Sequence, residues 1–249
     1  MVRKKIFSNP ASPIVFIESI SFNGMPSPQN PPRLNFSAMG FLYRECDDGS
    51  YIMVTCAHTF WEEMFPVVPG SQILITKDYN DGDGPDSFLR FELIEGPRFG
   101  KNRNEDVAIF KVKPEKEPKH PIVLLQPADH DTLTGNEGSN LVQVNEHGLS
   151  MLFSQDSFRK LPFSKYNIRG PQAVLARRGT PQEFFMLARG AVGYPCFSIH
   201  SEVGASGSPV WTNNGRLIGI NTGGDTYPEL WNAVVPCKGI DRVIKEVGY

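Results

Sequence analysis

Residues Val203-Gly204-Ala205-Ser206-Gly207-Ser208-Pro209, followed by the apolar runs Val210-Trp211-Thr212 and Leu217-Ile218-Gly219-Ile220, decide how the rest of the chain is read. A serine flanked by small residues stands ahead of a proline and a β-run. Glycine has no Cβ and so permits a tight bend that holds a side chain out. A hydroxyl at such a bend has backbone N–H groups beside it, and those of Gly204 and Ser206 would supply two donors for a developing oxyanion. The same residues also suit a plain Gly/Ser loop between two strands.

The surrounding chain is β-rich and heavily punctuated. Gly (23) and Pro (21) are numerous for 249 residues, which favours short strands and frequent turns over long helices. In the first half, β-runs are predicted at Pro13–Phe22, Met39–Arg44, Tyr51–Thr55, Gln72–Thr76, Phe88–Ile94 and Val107–Val112. The Asp47-Asp48-Gly49-Ser50 turn between the second and third is a hairpin signal. Pro26-Ser27-Pro28-Gln29-Asn30-Pro31-Pro32 has too few N–H donors for a central strand and reads as surface loop. Lys113-Pro114-Glu115-Lys116-Glu117-Pro118-Lys119-His120-Pro121 is charged and proline-rich and reads as the linker.

Beyond it come runs at Leu141–Asn145, Leu149–Phe153, Ala173–Ala176, Phe184–Ala188, Pro195–Ile199, Pro209–Thr212, Leu217–Thr222 and Ala233–Pro236. Ile240, Val243, Ile244 and Val247 form one apolar stripe, so only the last dozen residues read as helix. The pattern predicts an all-β fold of two six-stranded antiparallel barrels with a short C-terminal helix. The first barrel would span residues 12–118 and the second 119–249. No sequence repeat relates the halves.

Composition narrows the partners. The net charge is −2, from 25 basic and 27 acidic residues, which gives no electrostatic reason to expect nucleic acid or an anionic membrane as partner. No apolar window approaches the roughly 18 residues of a membrane span. Met1-Val2-Arg3-Lys4-Lys5 is basic but lacks a following apolar core, so no export signal is read and a cytoplasmic location is expected, in a virus-encoded protein that of the host cell. Cys46, Cys56, Cys196 and Cys237 form no CxxC pair, which argues against zinc, and reduced, mostly buried thiols are expected.

Two further polar residues occupy positions like that of Ser206. His58 closes a β-run ahead of Thr59-Phe60-Trp61, and Asp106 opens Val107-Ala108-Ile109-Phe110. A serine hydroxyl is a weak nucleophile until an imidazole takes its proton. A carboxylate on the far ring nitrogen sets the tautomer and stabilises the imidazolium. Singly, each has a plainer reading: a structural histidine after a strand, a turn or cap aspartate, a loop serine. The esterase elbow G-x-S-x-G does not fit, because Ser208 stands where its last glycine belongs and the βα pattern is missing.

Val54-Thr55-Cys56-Ala57-His58, Asp106-Val107-Ala108-Ile109 and Gly204-Ala205-Ser206-Gly207-Ser208-Pro209 together resemble the histidine, aspartate and nucleophile segments of chymotrypsin-like serine proteases, in that family's chain order. Gly215 to Gly224 and Ala233-Val234-Val235-Pro236 resemble its bacterial and viral branch, which includes glutamyl endopeptidases and the high-temperature-requirement proteases. The resemblance implies a serine endopeptidase. Its nucleophile would be Ser206, its general base His58, its orienting carboxylate Asp106, and its oxyanion donors the N–H groups of Gly204 and Ser206. No cofactor or metal would be needed, and the partner would be a protein or peptide substrate.

It also implies a specificity pocket lined by His200, Ser201, Asn221, Thr222, Gly223 and Gly224, with His200 at the floor. No aspartate stands there, so a preference for Lys or Arg is not expected. Glutamyl endopeptidases place a histidine where this chain has Asn221, which weakens the case for glutamate specificity, although His200 and Ser201 could still hydrogen-bond a polar side chain. Substrate backbone would add as a strand along Thr222-Gly223-Gly224. Ala205 replaces the aspartate that pairs with a newly cut N-terminus in the digestive members, so activity without N-terminal cleavage is expected. The acidic loop Lys77–Gly84 lies where some relatives bind calcium. Gly82 sits where an oxygen ligand belongs, so a solvated turn is the better reading. The competing expectation for the whole chain is a catalytically silent peptide-binding module of the same fold.

Overall fold

A computed structural model of the chain describes residues 13–21, 33–60, 72–78, 88–102, 105–127, 139–144, 174–179, 181–188, 192–197, 206–212, 216–225 and 231–249. The first half contains β1 (Ile14–Ser21), β2 (Arg33–Glu45), β3 (Tyr51–Thr55), β4 (Gln72–Asp78), β5 (Phe88–Phe99) and β6 (Ala108–Pro114). They close into an antiparallel barrel in the order β1-β2-β3-β6-β5-β4. All six predicted runs are strands. The β2–β3 hairpin turns at Gly49, whose φ of 73° lies in the left-handed region that glycine enters without penalty.

Strand β2 starts six residues before the predicted run. Arg33-Leu34-Asn35-Phe36-Ser37-Ala38 alternates polar and apolar, a period-two signal that the proline-rich stretch before it obscured. The barrel interior is filled by Val15, Ile17, Leu42, Met53, Ile75, Leu89, Phe91, Phe110 and Val112.

The second half is also antiparallel: β7 (Ser139–Val144), β8 (Val174–Gly179), β9 (Pro181–Ala188), β10 (Val192–Phe197), β11 (Pro209–Thr212), β12 (Leu217–Asp225) and β13 (Trp231–Pro236). Among the described residues these form a seven-stranded sheet in the order β8-β7-β11-β12-β13-β10-β9, where a second closed barrel was predicted. The predicted run Leu149–Phe153 lies outside the described residues.

The two halves nevertheless share one pairing scheme. Read from β2, the barrel runs β2-β1-β4-β5-β6-β3. Read from β8, the sheet runs β8-β7-β11-β12-β13-β10, with β9 added. In the barrel, the first part of β2 pairs with β1 and the last part with β3. In the sheet, β8 pairs with β7 and β9 with β10. The two ends of the sheet are therefore separated by a single residue of sequence, position 180.

Helix α1 (Cys237–Glu246) turns the predicted stripe inward, with Ile240, Val243 and Ile244 buried. These side chains join Phe41, Ile52, Val54, Val107 and Ile109 of the barrel and Leu217, Ile220 and Val235 of the sheet in one apolar cluster. Truncating a fully buried aliphatic such as Ile240 to alanine costs about 2–5 kcal/mol. The helix thus fastens the halves to each other. Residues after β6 do not run loose: Ile122 and Leu124 pack on the barrel core and Leu125 on the shared cluster. Among the described residues no helix is long and apolar enough to cross a membrane.

Candidate active site

His58 lies in a short 3-10 turn, Ala57–Phe60, that leaves the end of β3. Phe60 anchors this turn by packing on the Phe110 ring, 5.2 Å between centroids. Asp106 stands just before β6, the neighbour of β3 in the barrel, with Thr55 opposite Ala108. Strand pairing therefore delivers the aspartate beside the histidine although 48 residues separate them.

The contact is double. One Asp106 oxygen accepts the His58 backbone N–H at 2.7 Å, and the other lies 2.5 Å from ring Nδ1. Both side chains are 13% exposed. An ionised carboxylate only accepts, so the imidazole proton belongs on Nδ1 and Nε2 is the ring's acceptor. An imidazole in that tautomer can take up a proton at Nε2.

Ser206 is partly buried and begins a turn that leads into β11. Its carbonyl accepts the Met39 N–H of β2 at 3.3 Å. Gly207 follows with φ 87°. It abuts the Met39 carbonyl and the Thr55 hydroxyl so closely that a Cβ would overlap both. Thr55 donates its hydroxyl to the Met39 carbonyl at 2.6 Å, and Ser208 donates its own to the Met39 sulfur at 3.2 Å. Met39 also packs between Phe16 and Trp211. The serine turn is thus bonded to β2 at Met39, beside Thr55 at the end of β3.

A second set of contacts runs through Asn221. Gly207 N–H donates to its carbonyl at 2.9 Å, and its own N–H donates to the Ser208 carbonyl at 2.9 Å. The Cys56 thiol donates to that same Asn221 carbonyl at 3.0 Å. Asn221, expected on the pocket wall, is fully buried. Among the described residues β12 pairs with β11 only over Leu217–Ile220, then continues through Thr222, Gly223 and Gly224 to Asp225 with β13 alone as neighbour. His200, Ser201, Gly204 and Ala205 lie outside the described residues.

Cys56, His58 and Asp106 offer donor atoms within 4.8 Å of one another. Their arrangement suits a proton better than a metal. Tetrahedral zinc ligands at about 2.0–2.3 Å stand more than about 3 Å apart, whereas Nδ1 and the carboxylate oxygen are 2.5 Å apart. Burial, and then the Asp106 carboxylate, push the Cys56 thiol well above its ordinary range, with the Gly207 N–H acting weakly the other way. The thiol is a protonated donor, neither a thiolate ligand nor a nucleophile. Cys46, Cys56 and Cys237 are all free thiols, the last two buried.

No family model matches the chain, and no curated protein matches it. Sequence reasoning singles out His58, Asp106 and Ser206 but not Met39, Thr55 and the Asn221 carbonyl, which join their segments. No local signal marks a methionine in mid-strand as a hub.

Proposed function

We propose that the chain is a serine endopeptidase of the chymotrypsin-like type, built on two barrels. In this reading Ser206 attacks the peptide carbonyl, His58 Nε2 takes the hydroxyl proton and later delivers it to the leaving amine, and Asp106 holds the ring. The N–H groups of Gly204 and Ser206 receive the oxyanion. The observation that carries the reading is the double hydrogen bond from His58 to the Asp106 carboxylate, which leaves Nε2 as the ring's acceptor, with the Ser206 turn bonded to Met39 beside the end of β3. The second barrel is supported by the pairing order shared by the halves and by the one-residue separation of β8 and β9. A strand that bends at that residue would do for the second half what β2 does for the first.

The run of β12 beyond its ladder with β11, through Gly223 and Gly224 to Asp225, supports an extended peptide as substrate, gripped by backbone pairing, with its scissile bond near Ser206. Since no charged group of the trypsin type stands at His200, cleavage after Lys or Arg is not expected. The test is a fluorophosphonate probe on the uncut, full-length protein. Labelling that disappears in Ser206→Ala, with the fold retained, supports the reading. Absence of labelling in folded wild type leaves the silent peptide-binding module instead. A peptide-library cleavage profile then defines the pocket.

A further inference from the structure

The His58 turn and the Ser206 turn come from opposite halves of the chain, and the reaction requires their side chains to meet in one geometry. A single acceptor receives a hydrogen bond from each. The Asn221 carbonyl accepts the Cys56 thiol at 3.0 Å and the Gly207 N–H at 2.9 Å. Cys56 stands two residues before His58, and Gly207 directly follows Ser206. A carbonyl oxygen has two lone pairs and can serve both donors at once.

We propose that Cys56 is a positioning residue, whose thiol ties the His58 turn to the Ser206 turn through the Asn221 carbonyl. This rests on the serine-endopeptidase reading and extends it to a residue with no part in the bond-making steps. The side chain is fully buried, so it touches neither solvent nor substrate. Its surroundings dictate a neutral S–H. A thiolate here would face the Asp106 carboxylate and lie against a carbonyl oxygen. The donor role is therefore constant across the working pH range, unlike that of a surface cysteine.

The chemistry explains why so weak a hydrogen bond can matter. A displacement of about 1 Å between reacting groups lowers rate by about 10²-fold even where the fold survives. The thiol bond contributes little to global stability, since the barrel, sheet and helix already share one apolar cluster. What it restrains is the relative placement of two short turns. Gly207 remains bonded to Asn221 without it, so its loss frees the histidine side of the pair and leaves the serine side in place.

The experiment compares full-length Cys56→Ala, Cys56→Val and Cys56→Ser with wild type. Fluorophosphonate labelling rate, kcat and KM on a cleavable peptide, and urea midpoint are read for each. Alanine and valine, which cannot donate, are expected to lose about tenfold or more in labelling rate and kcat at unchanged KM, with midpoints near wild type. Serine retains a donor and is expected to recover most of the rate. Equal rates in all four proteins overturn the inference while the endopeptidase reading stands. So does a loss of rate that follows the urea midpoint and is not restored by serine, because that is the mark of packing alone. A folded wild type that does not label overturns the endopeptidase reading, and the inference falls with it.

Discussion

Asp106 grips His58 at two points, the ring Nδ1 at 2.5 Å and the same residue's backbone N–H at 2.7 Å. The pairing predicts the effect of Asp106→Asn from donor arithmetic. The backbone N–H can only donate, so the asparagine oxygen turns to it. The amide NH2 then faces Nδ1, which must become an acceptor, and the ring proton moves to Nε2. The base is lost with little change in shape. Labelling is expected to fall by about 10⁴-fold. A variant labelling within a factor of ten of wild type would mean that Asp106 does not set the tautomer.

Gly207→Ala is predicted to fail for two independent reasons. Its φ of 87° is costly for any residue with a Cβ, and that Cβ would overlap the Met39 carbonyl and the Thr55 hydroxyl. Together these should cost about 3 kcal/mol or more. The turn would also be pushed away from β2, so labelling at Ser206 should disappear. Urea denaturation checks the first effect and the fluorophosphonate probe the second. An alanine variant of normal stability would show that the turn relaxes freely.

Much of this was legible from residues alone, and the reason is locality. Turn chemistry at Asp47–Ser50 and period-two runs gave the six barrel strands, and the Ile240, Val243, Ile244 stripe gave the helix. His58, Asp106 and Ser206 are singled out by chemical type and order, and the structure sets the first two against each other. The common pairing order of the halves was not legible, because a ladder constrains only hydrophobic alternation and many sequences satisfy it. Nor were the contacts of Cys56 with Asn221, 165 residues apart. From sequence Cys56 reads only as a reduced, buried thiol, since nothing local reveals which carbonyl such a thiol will meet.

Glu105, next to Asp106, tests how the helix supports the site. It is 6% exposed, forms an ion pair with Arg242 of α1, and among the described residues its Oε2 has no hydrogen-bond partner. Arg242→Ala strands a carboxylate in a poorly solvated place. Because Arg242 itself is largely exposed, the cost should be modest, about 1–2 kcal/mol. Adding Glu105→Gln removes the stranded charge and should restore part of it. Urea midpoints of the two singles and the double close the cycle. A double variant no more stable than Arg242→Ala would mean that the pair is only a surface contact.

Glu18 gives the chain a pH dependence of unusual sign. It is fully buried in β1, and among the described residues neither carboxyl oxygen has a hydrogen-bond partner. Burial raises its pKa well above the ordinary 4.5. The folded state therefore keeps this proton while the unfolded chain releases it. As the unfolded state then binds fewer protons, stability falls as pH rises from about 4.5 towards the raised value, by at most about 1.4 kcal/mol per pH unit, the slope for one proton. Below the ordinary range both states are protonated and the contribution is fully present. Glu18→Gln has no proton to lose, so it should match wild type near pH 4 and exceed it in stability increasingly towards neutrality. Urea midpoints of both proteins across that interval provide the check. Parallel curves would show that Glu18 ionises in the folded protein as readily as in the unfolded one, stabilised there by a partner.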